Sequence, residues 1–339
     1  METLREPQDD VGDAEAFFEH LIAPVSLSDF FHMYWDRRPC VFRGPDGVAD
    51  AILSLGTFDK VVSSSNLKYP FFRLFKSGEA LPTCDMTTEC QLAVDREINI
   101  ADLNVVYSAV AAGYTLELQQ VERTVSSVRS ACDAVQRYLC LPVHAYAYFT
   151  AGAEPGFAPH FDTHHVFVRQ ISGRKRWRVW EPSRRFPLAQ DYAPDGDTVK
   201  AAISESAPIL ETTLQAGEGL FVPRGFVHEV LPDEEHSLHI SLSVTPLCWI
   251  DLLRAQFRRA ILDSQDDPAY RKRLMRPLRE REYDAPSAEF SSLAEKLLGV
   301  YSVSEAKATL NRLQRDTLPS ARRPRLAEID TRRKRSASG

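Results

Sequence analysis

Between about residue 140 and residue 247 the hydrophobic period of this chain is two, and the strand-like runs follow one another with Gly and Pro turns but no helical stretch between them. In VHAYAYFT (143–150), His144, Tyr146 and Tyr148 share one face, while Val143, Ala145, Ala147 and Phe149 share the other. The pattern recurs at FVRQI, RKRWRVW, GLFVP and HSLHISLSV. A parallel α/β sheet needs a helical crossover between strands. Consecutive short strands without one predict an antiparallel sandwich or barrel.

Helical periods flank this block, so the class is α+β. SLSDFFHMYWDRRPCVFRG (26–44) carries Phe30, Phe31, Tyr34 and Trp35 at helical spacing and predicts a short helix feeding a strand. In Gly113 to Pro142, Val121, Val125, Val128, Cys132, Val135 and Leu139 recur every three or four residues, which predicts one helix with a buried face and no chemistry. From Trp249 helices return. Leu252, Leu253, Phe257 and Ile261 form an apolar stripe, and Ser302 with Glu305 makes a capping box before Leu310 and Leu313. The tail from Pro319 is polar and basic and is expected to be disordered.

The chain has 339 residues, enough for one large core with an appendage. With no long apolar run and no apolar stretch in METLREPQDD, the expectation is a cytoplasmic protein without a membrane span. Cys40, Cys84, Cys90, Cys132, Cys140 and Cys248 form no CxxC pair and are expected to be reduced core thiols rather than disulfides or zinc ligands. The net charge of −6 conceals an acidic portion up to about residue 250 and a basic remainder. That asymmetry predicts two parts with different roles.

The chemistry concentrates in PHFDTHHVFVRQISGRKRWRVW (159–180). Alternation puts His160 and Asp162 on one side of an extended segment, so an imidazole and a carboxylate can reach one ion. The third ligand is expected from His228 in FVPRGFVHEV, where a Pro-Arg-Gly turn opens a strand. Two histidines and a carboxylate on one face of a metal leave the opposite positions open, as in non-haem Fe(II) oxygenases. A lone HxD is a weak signal. The next strand strengthens it: Lys175, Trp177 and Val179 share a face opposite Arg174, Arg176 and Arg178, so Lys175 turns inward and needs an anion. Ser237, His239, Ser241 and Ser243 likewise share one face of HSLHISLSV and offer donors to the same cavity.

PGFAPHFDTHHVFVRQISGRKRWRVW, LFVPRGFVHEV and HSLHISLSV together resemble the Jumonji-C/cupin group of Fe(II)- and 2-oxoglutarate-dependent oxygenases, specifically the ribosomal oxygenase branch. WDRRPCVFRG and GYTLELQQVER resemble its lead-in segments, so the resemblance covers roughly residues 20 to 250. It implies a double-stranded β-helix, the cupin or jelly-roll barrel, flanked by helices, with a C-terminal helical region. The implied organisation is a catalytic domain over 1–248, a helical dimerisation region over 249–318 and a tail over 319–339.

By the same resemblance His160, Asp162 and His228 hold Fe(II), and Lys175 pairs with the far carboxylate of 2-oxoglutarate. Tyr148 and Ser243 are further cosubstrate contacts, His239 is a neighbouring cavity residue, and O2 is the second cosubstrate. The chain departs from the family at Tyr146, where asparagine is usual, and at His164 and His165, where His-Asp is usual. These three are the expected substrate contacts. The residues after His228 leave room for dimerisation helices but hardly for the winged-helix domain of the long members.

The implied activity is hydroxylation of a histidine, or second an arginine, in a peptide or small protein. The client would be a ribosomal protein or the precursor of a ribosomally made natural product, and the enzyme a homodimer. The rivals are an N-methyl-lysine demethylase, a non-catalytic cupin that binds nucleic acid through its basic tail, and a metal-dependent sugar isomerase cupin that needs no 2-oxoglutarate.

Overall fold

The computed structural model describes residues 8–43, 47–64, 66–92, 94–152, 154–191, 196–271, 292, 294–296 and 303–317. One compact unit holds Met1–Pro246 and a second holds Leu247–Leu318, against an expected boundary after residue 248. The strands, in chain order, are β1 (Cys40–Phe42), β2 (Phe72–Lys76), β3 (Glu79–Ala80), β4 (Thr87–Gln91), β5 (Arg96–Ala101), β6 (Thr115–Gln119), β7 (Val143–Thr150), β8 (His165–Pro182), β9 (Leu210–Leu214), β10 (Gly219–Val222) and β11 (Phe226–Val244). β4 and β5 form a separate hairpin. The others make one antiparallel sheet in the order β1-β10-β8-β11-β7-β6-β2-β3, with β9 paired to β8.

The two long strands β8 and β11 are its spine. They pair from Phe226↔Pro182 to Val244↔His165, with register shifts between Phe226 and His228, between Pro232 and Ser237, and between Leu238 and His239. The first half of β8 also pairs with β10 and the second half with β9, while the end of β11 pairs with β7. FVRQI and RKRWRVW, expected as separate strands, are therefore one strand. Gly173 bends it without ending it: at φ 65° it stands opposite Ser237, and a Cβ there would lie 1.7 Å from the carbonyl oxygen of His236. Only glycine permits that approach.

The expected helix over 113–142 is corrected too. Residues 115–119 form β6, Gln120 takes a left-handed φ of 51°, Val121–Arg123 make one turn, and the α-helix runs over Ser126–Leu139. Val121 and Val125 are buried although they precede the helix, which is why they mimic its period. TLELQ itself alternates: Leu116 and Leu118 enter the core, and Thr115 and Glu117 are buried on the opposite face. The segment read as chemically inert thus carries a buried carboxylate.

One face of the sheet packs on helices. Ala145, Ala147, Phe167, Leu238, Ile240, Leu242 and Val244 join Phe18, Leu21 and Ile22 of the helix Gln8–Ile22 and Val128, Cys132 and Val135 of the helix Ser126–Leu139 in one core. Phe18 stacks on Tyr138 at 4.7 Å and meets Phe167 edge-on at 5.6 Å. Each such fully buried ring contributes roughly 1.5–3 kcal/mol.

Arg169 of β8 lies inside this packing. It donates to the carbonyls of Leu21, His20 (3.4 Å) and Gly217 (3.1 Å), and burial pulls its pKa down to about 10. Its cation meets the carbonyl end of the first helix, where the helix dipole favours it, and ties that helix to the sheet. Of the six cysteines only Cys40 and Cys132 are buried, while Cys84 and Cys90 are exposed, so the expectation of core thiols holds for two.

In the second unit the helix Trp249–Ser264 starts at a reciprocal cap, with the Cys248 amide donating to Asp251 (2.9 Å). Leu252 is buried, whereas Leu253 is 50% exposed and Ile261 58% exposed. A later helix runs over Val303–Thr317. Ser302 and the tail 319–339 lie outside the described residues.

Candidate active site

The other face of the sheet lines a cavity of about 450 Å³, within the range of small-molecule sites. His160 and His228 exchange backbone hydrogen bonds (3.1 and 2.8 Å), an isolated bridge that fixes their rings 4.4 Å apart. The Gly225 amide of the Pro223-Arg224-Gly225 turn donates to the Asp162 carbonyl (2.8 Å) and holds the third member beside them. Nε2 of His228 stands 3.7 Å from the Asp162 carboxylate, and one ligand atom from each of the three lies within 4.8 Å of the others.

The second ring nitrogens are engaged. Nδ1 of His160 is 2.8 Å from the Ala158 carbonyl, and Nδ1 of His228 is 3.1 Å from that of Phe226. A carbonyl partner places the proton on Nδ1 and leaves Nε2 as the lone-pair donor, the usual preparation of a histidine ligand. Burial, with His160 adding to it, pulls the His228 pKa down to about 4, so this imidazole is neutral at physiological pH. Burial opposes charge on Asp162. His164, His160 and His228 outweigh it and hold the carboxyl below its ordinary range. The cluster therefore offers the neutral imidazole of His228, the Nε2 of His160 turned away from its carbonyl partner, and an anion.

Lys175 reaches the same cavity from β8. It is 3% exposed, its ammonium donates to the Thr150 hydroxyl (3.0 Å), and burial pulls its pKa down to about 8. Among the described residues no carboxylate pairs with it. Two further donors are orphaned nearby: His239 Nδ1 and Trp177 Nε1 are buried without a hydrogen-bond partner among the described residues. A cation and unsatisfied polar groups around a cavity fit a small dianion.

Cross-strand register explains how residues distant in sequence meet. Arg73 of β2 stands opposite Glu117 of β6, Glu117 opposite Tyr148 of β7, and Tyr148 opposite His239 of β11, one row across four strands. The next row holds Gln119, Tyr146 and Ser241, and Ser243 follows two residues along β11. Tyr148 stacks on His239 at 4.9 Å and donates to Glu117, which also accepts from Gln119 (3.1 Å). Burial, followed by the Glu117 charge, drives the Tyr148 pKa well above its ordinary value. Burial likewise raises that of Glu117 despite Gln119 and Arg73.

His160, Asp162, His228, Lys175, Tyr146, Tyr148, His164, His239 and Ser243 all line this cavity. His165 does not, which corrects its expected substrate contact. Strand alternation turns it to the opposite side, fully buried against Trp35 (4.2 Å) and Phe221 (5.7 Å), with Nδ1 accepting from the Arg224 amide (3.3 Å). Burial, then Arg224 and His164, pulls its pKa down to about 3, so it is a neutral packing residue. Arg73, Thr115, Glu117, Gln119, Thr150 and Phe157 also line the cavity and were not singled out from sequence, whereas Ser241 lines it as its place on the face of Ser237, His239 and Ser243 predicts.

Residues 117–252 match the family model of the JmjC domain. That segment of the chain is similar to the JmjC domain. The chain is 29% identical over 268 residues to the ribosomal oxygenase 1 of Gallus gallus, covering 77% of this chain and 42% of that protein. It is 28% identical over 250 residues to the bifunctional lysine-specific demethylase and histidyl-hydroxylase NO66 of Drosophila erecta, covering 70% and 34%. The chain thus spans well under half the length of these relatives.

Among solved structures it is similar in fold to YcfD, a ribosomal oxygenase from Escherichia coli, in complex with cobalt and 2-oxoglutarate. The TM-score is 0.54 at 20% identity, covering 86% of this chain and 71% of that one. The donor set here, two imidazoles and a carboxylate with ligand atoms within 4.8 Å of one another, fits Fe(II). The unpaired ammonium of Lys175 fits the distal carboxylate of 2-oxoglutarate.

Proposed function

We propose that this protein is an Fe(II)- and 2-oxoglutarate-dependent oxygenase that hydroxylates a side chain, histidine as first choice and arginine as second, in a peptide or small protein. The client would be a ribosomal protein or the precursor of a ribosomally made peptide natural product. One observation carries this reading: a single cavity joins the His160–Asp162–His228 cluster to the buried ammonium of Lys175. When bound, iron and 2-oxoglutarate together with O2 supply the oxidising power to put one oxygen atom into a C–H bond, with release of succinate and CO2.

The chain's own residues would hold and aim the reactants. His160, Asp162 and His228 would take the metal, with the histidine tautomers fixed by the Ala158 and Phe226 carbonyls. Lys175, protonated below about pH 8, would hold the far end of the cosubstrate, with Thr150, Tyr148 and Ser243 beside it. Trp177, Phe157 and Val230 would keep water from that end. Glu117 and Tyr146 would meet a basic substrate side chain, because a carboxylate raised by burial is stabilised by an incoming cation or donor.

A second reading, removal of an N-methyl group from lysine, is favoured by the name of the NO66 relatives, which couples both activities, and would use the same carboxylate for the lysine cation. The test incubates the protein with Fe(II), 2-oxoglutarate, ascorbate and peptides containing histidine, arginine or methyl-lysine. Gain of one oxygen on the first two supports hydroxylation, and loss of a methyl group from the third supports demethylation. Succinate formed equally with and without any peptide, and every peptide unmodified, would overturn both.

The second unit is proposed to make a homodimer. Trp249 (81% exposed), Leu253, Phe257 and Ile261 recur along one helix as an apolar stripe that a second copy would cover. Among the described residues no helix is long and apolar enough to cross a membrane, and a cytoplasmic location is part of the same proposal.

A further inference from the structure

A second concavity, of about 610 Å³, is lined in part by Arg224 of the Pro223-Arg224-Gly225 turn. Its walls are Phe31, Trp35 and Phe186 with Arg37, Arg185 and Arg224. Nothing in the oxygenase chemistry uses it. Two bulky or charged side chains are held there in the left-handed backbone region, Asp36 at φ 57° and Phe186 at φ 53°. Both meet Arg224: the Asp36 carboxylate is 3.1 Å from its Nε, and its guanidinium lies 5.3 Å from the centre of the Phe186 ring. Left-handed phenylalanine is rare and costs conformational energy, and such costs persist mainly where the conformation is used. The Phe186 ring is nonetheless 54% exposed, so the strain does not serve packing.

The charge is equally out of character. In a chain of net charge −6, three arginines line this concavity against the single carboxylate of Asp36. Arg224 is oriented by Asp36 with its side chain 9% exposed, whereas among the described residues Arg37 and Arg185 have no carboxylate partner. Trp35 is a fixed platform, parallel within 13° to the buried ring of Phe221. Flat aromatic faces beside oriented guanidinium groups match a ligand with a π-face and a phosphate.

We propose that this groove binds a nucleotide, its base on the Phe186, Trp35 and Phe31 faces and its phosphate on Arg185, Arg37 and Arg224, either free or as part of a single-stranded RNA. The site is separate from the catalytic cavity, with which it shares no lining residue.

The test uses the full chain, with AMP by calorimetry and a fluorescein-labelled oligouridine by anisotropy. AMP is expected to bind at least tenfold more tightly than adenosine or inorganic phosphate, because each of those lacks one of the two contacts. Arg185→Ala and Phe186→Ala, both at exposed positions, are each expected to weaken binding about tenfold, with an unchanged circular dichroism spectrum. RNA displaced by AMP identifies a strand as the source of the nucleotide, and AMP binding without RNA binding identifies a free nucleotide. No AMP binding, or RNA binding untouched by both variants and by AMP, overturns the proposal.

Discussion

Removing the charge of Lys175 separates stability from cosubstrate binding, and Lys175→Met does so at nearly constant volume. Burial alone pulls the native pKa from 10.5 to about 8. At neutral pH that displacement corresponds to about 3 kcal/mol of unfavourable charge burial in the folded protein. Among the described residues the side-chain hydrogen bond lost is the one to Thr150, whose hydroxyl keeps the Thr115 hydroxyl at 2.8 Å, so no orphaned partner there offsets the gain. Without 2-oxoglutarate the variant is therefore expected to be more stable, by roughly 1–3 kcal/mol once relaxation is allowed for. That is seen as a melting temperature higher by about 2–4 °C per kcal/mol.

The sign with pH follows from the same group. Between about pH 8 and 10.5 the unfolded lysine binds a proton that the native one has released, so wild-type stability rises through that window. The gap between variant and wild type is full at pH 7 and closes toward pH 10.5. Affinity for 2-oxoglutarate should fall about ten- to a hundredfold, the worth of a charge-assisted contact. Melting curves from pH 7 to 10.5 and calorimetric titration with 2-oxoglutarate check both halves. A variant that is less stable at every pH and binds 2-oxoglutarate unchanged would refute the reasoning.

His160→Ala, Asp162→Ala and His228→Ala should each abolish 2-oxoglutarate turnover, read as succinate formation, while melting stays cooperative. Glu117→Gln keeps the shape but removes the ionisable carboxyl, so peptide hydroxylation should fall at least tenfold while peptide-independent succinate formation persists, if a cationic substrate draws out its charge. Gly173→Ala should lower the melting temperature sharply or prevent folding, since its Cβ would collide with the His236 carbonyl at a positive φ. Ile261→Glu, at an exposed stripe position, should convert a dimer to a monomer in light scattering, and a wild-type monomer at micromolar concentration would exclude the dimer.

What was legible in the sequence was what local alternation encodes. The faces of β7, β8 and β11 follow from a period of two, so Lys175 and the row Ser237, His239, Ser241, Ser243 could be assigned to one side before any fold was known. The same rule, applied one residue further, turns His165 away from the cavity that Val166 lines, although its departure from the family pattern points to a substrate contact. Register between strands is not local. Arg73, Glu117, Tyr148 and His239 come from four segments and become one row only when β2, β6, β7 and β11 pair.

Glu117 was hidden for a second reason. Val121 and Val125 prolong the period of the following helix backward through a turn, and the two-residue alternation of Thr115–Gln119 is too short to compete with it. The signal that would have recovered it is Glu117 itself, one acidic residue between Leu116 and Leu118, both core residues. In a helix those three positions spread around the circumference, whereas in a strand they put one carboxylate alone against a second buried surface. A charge that costs so much to bury is retained where a ligand offsets it. The row from Arg73 to His239 is therefore where the chemistry of the substrate, as distinct from that of the metal, should be sought.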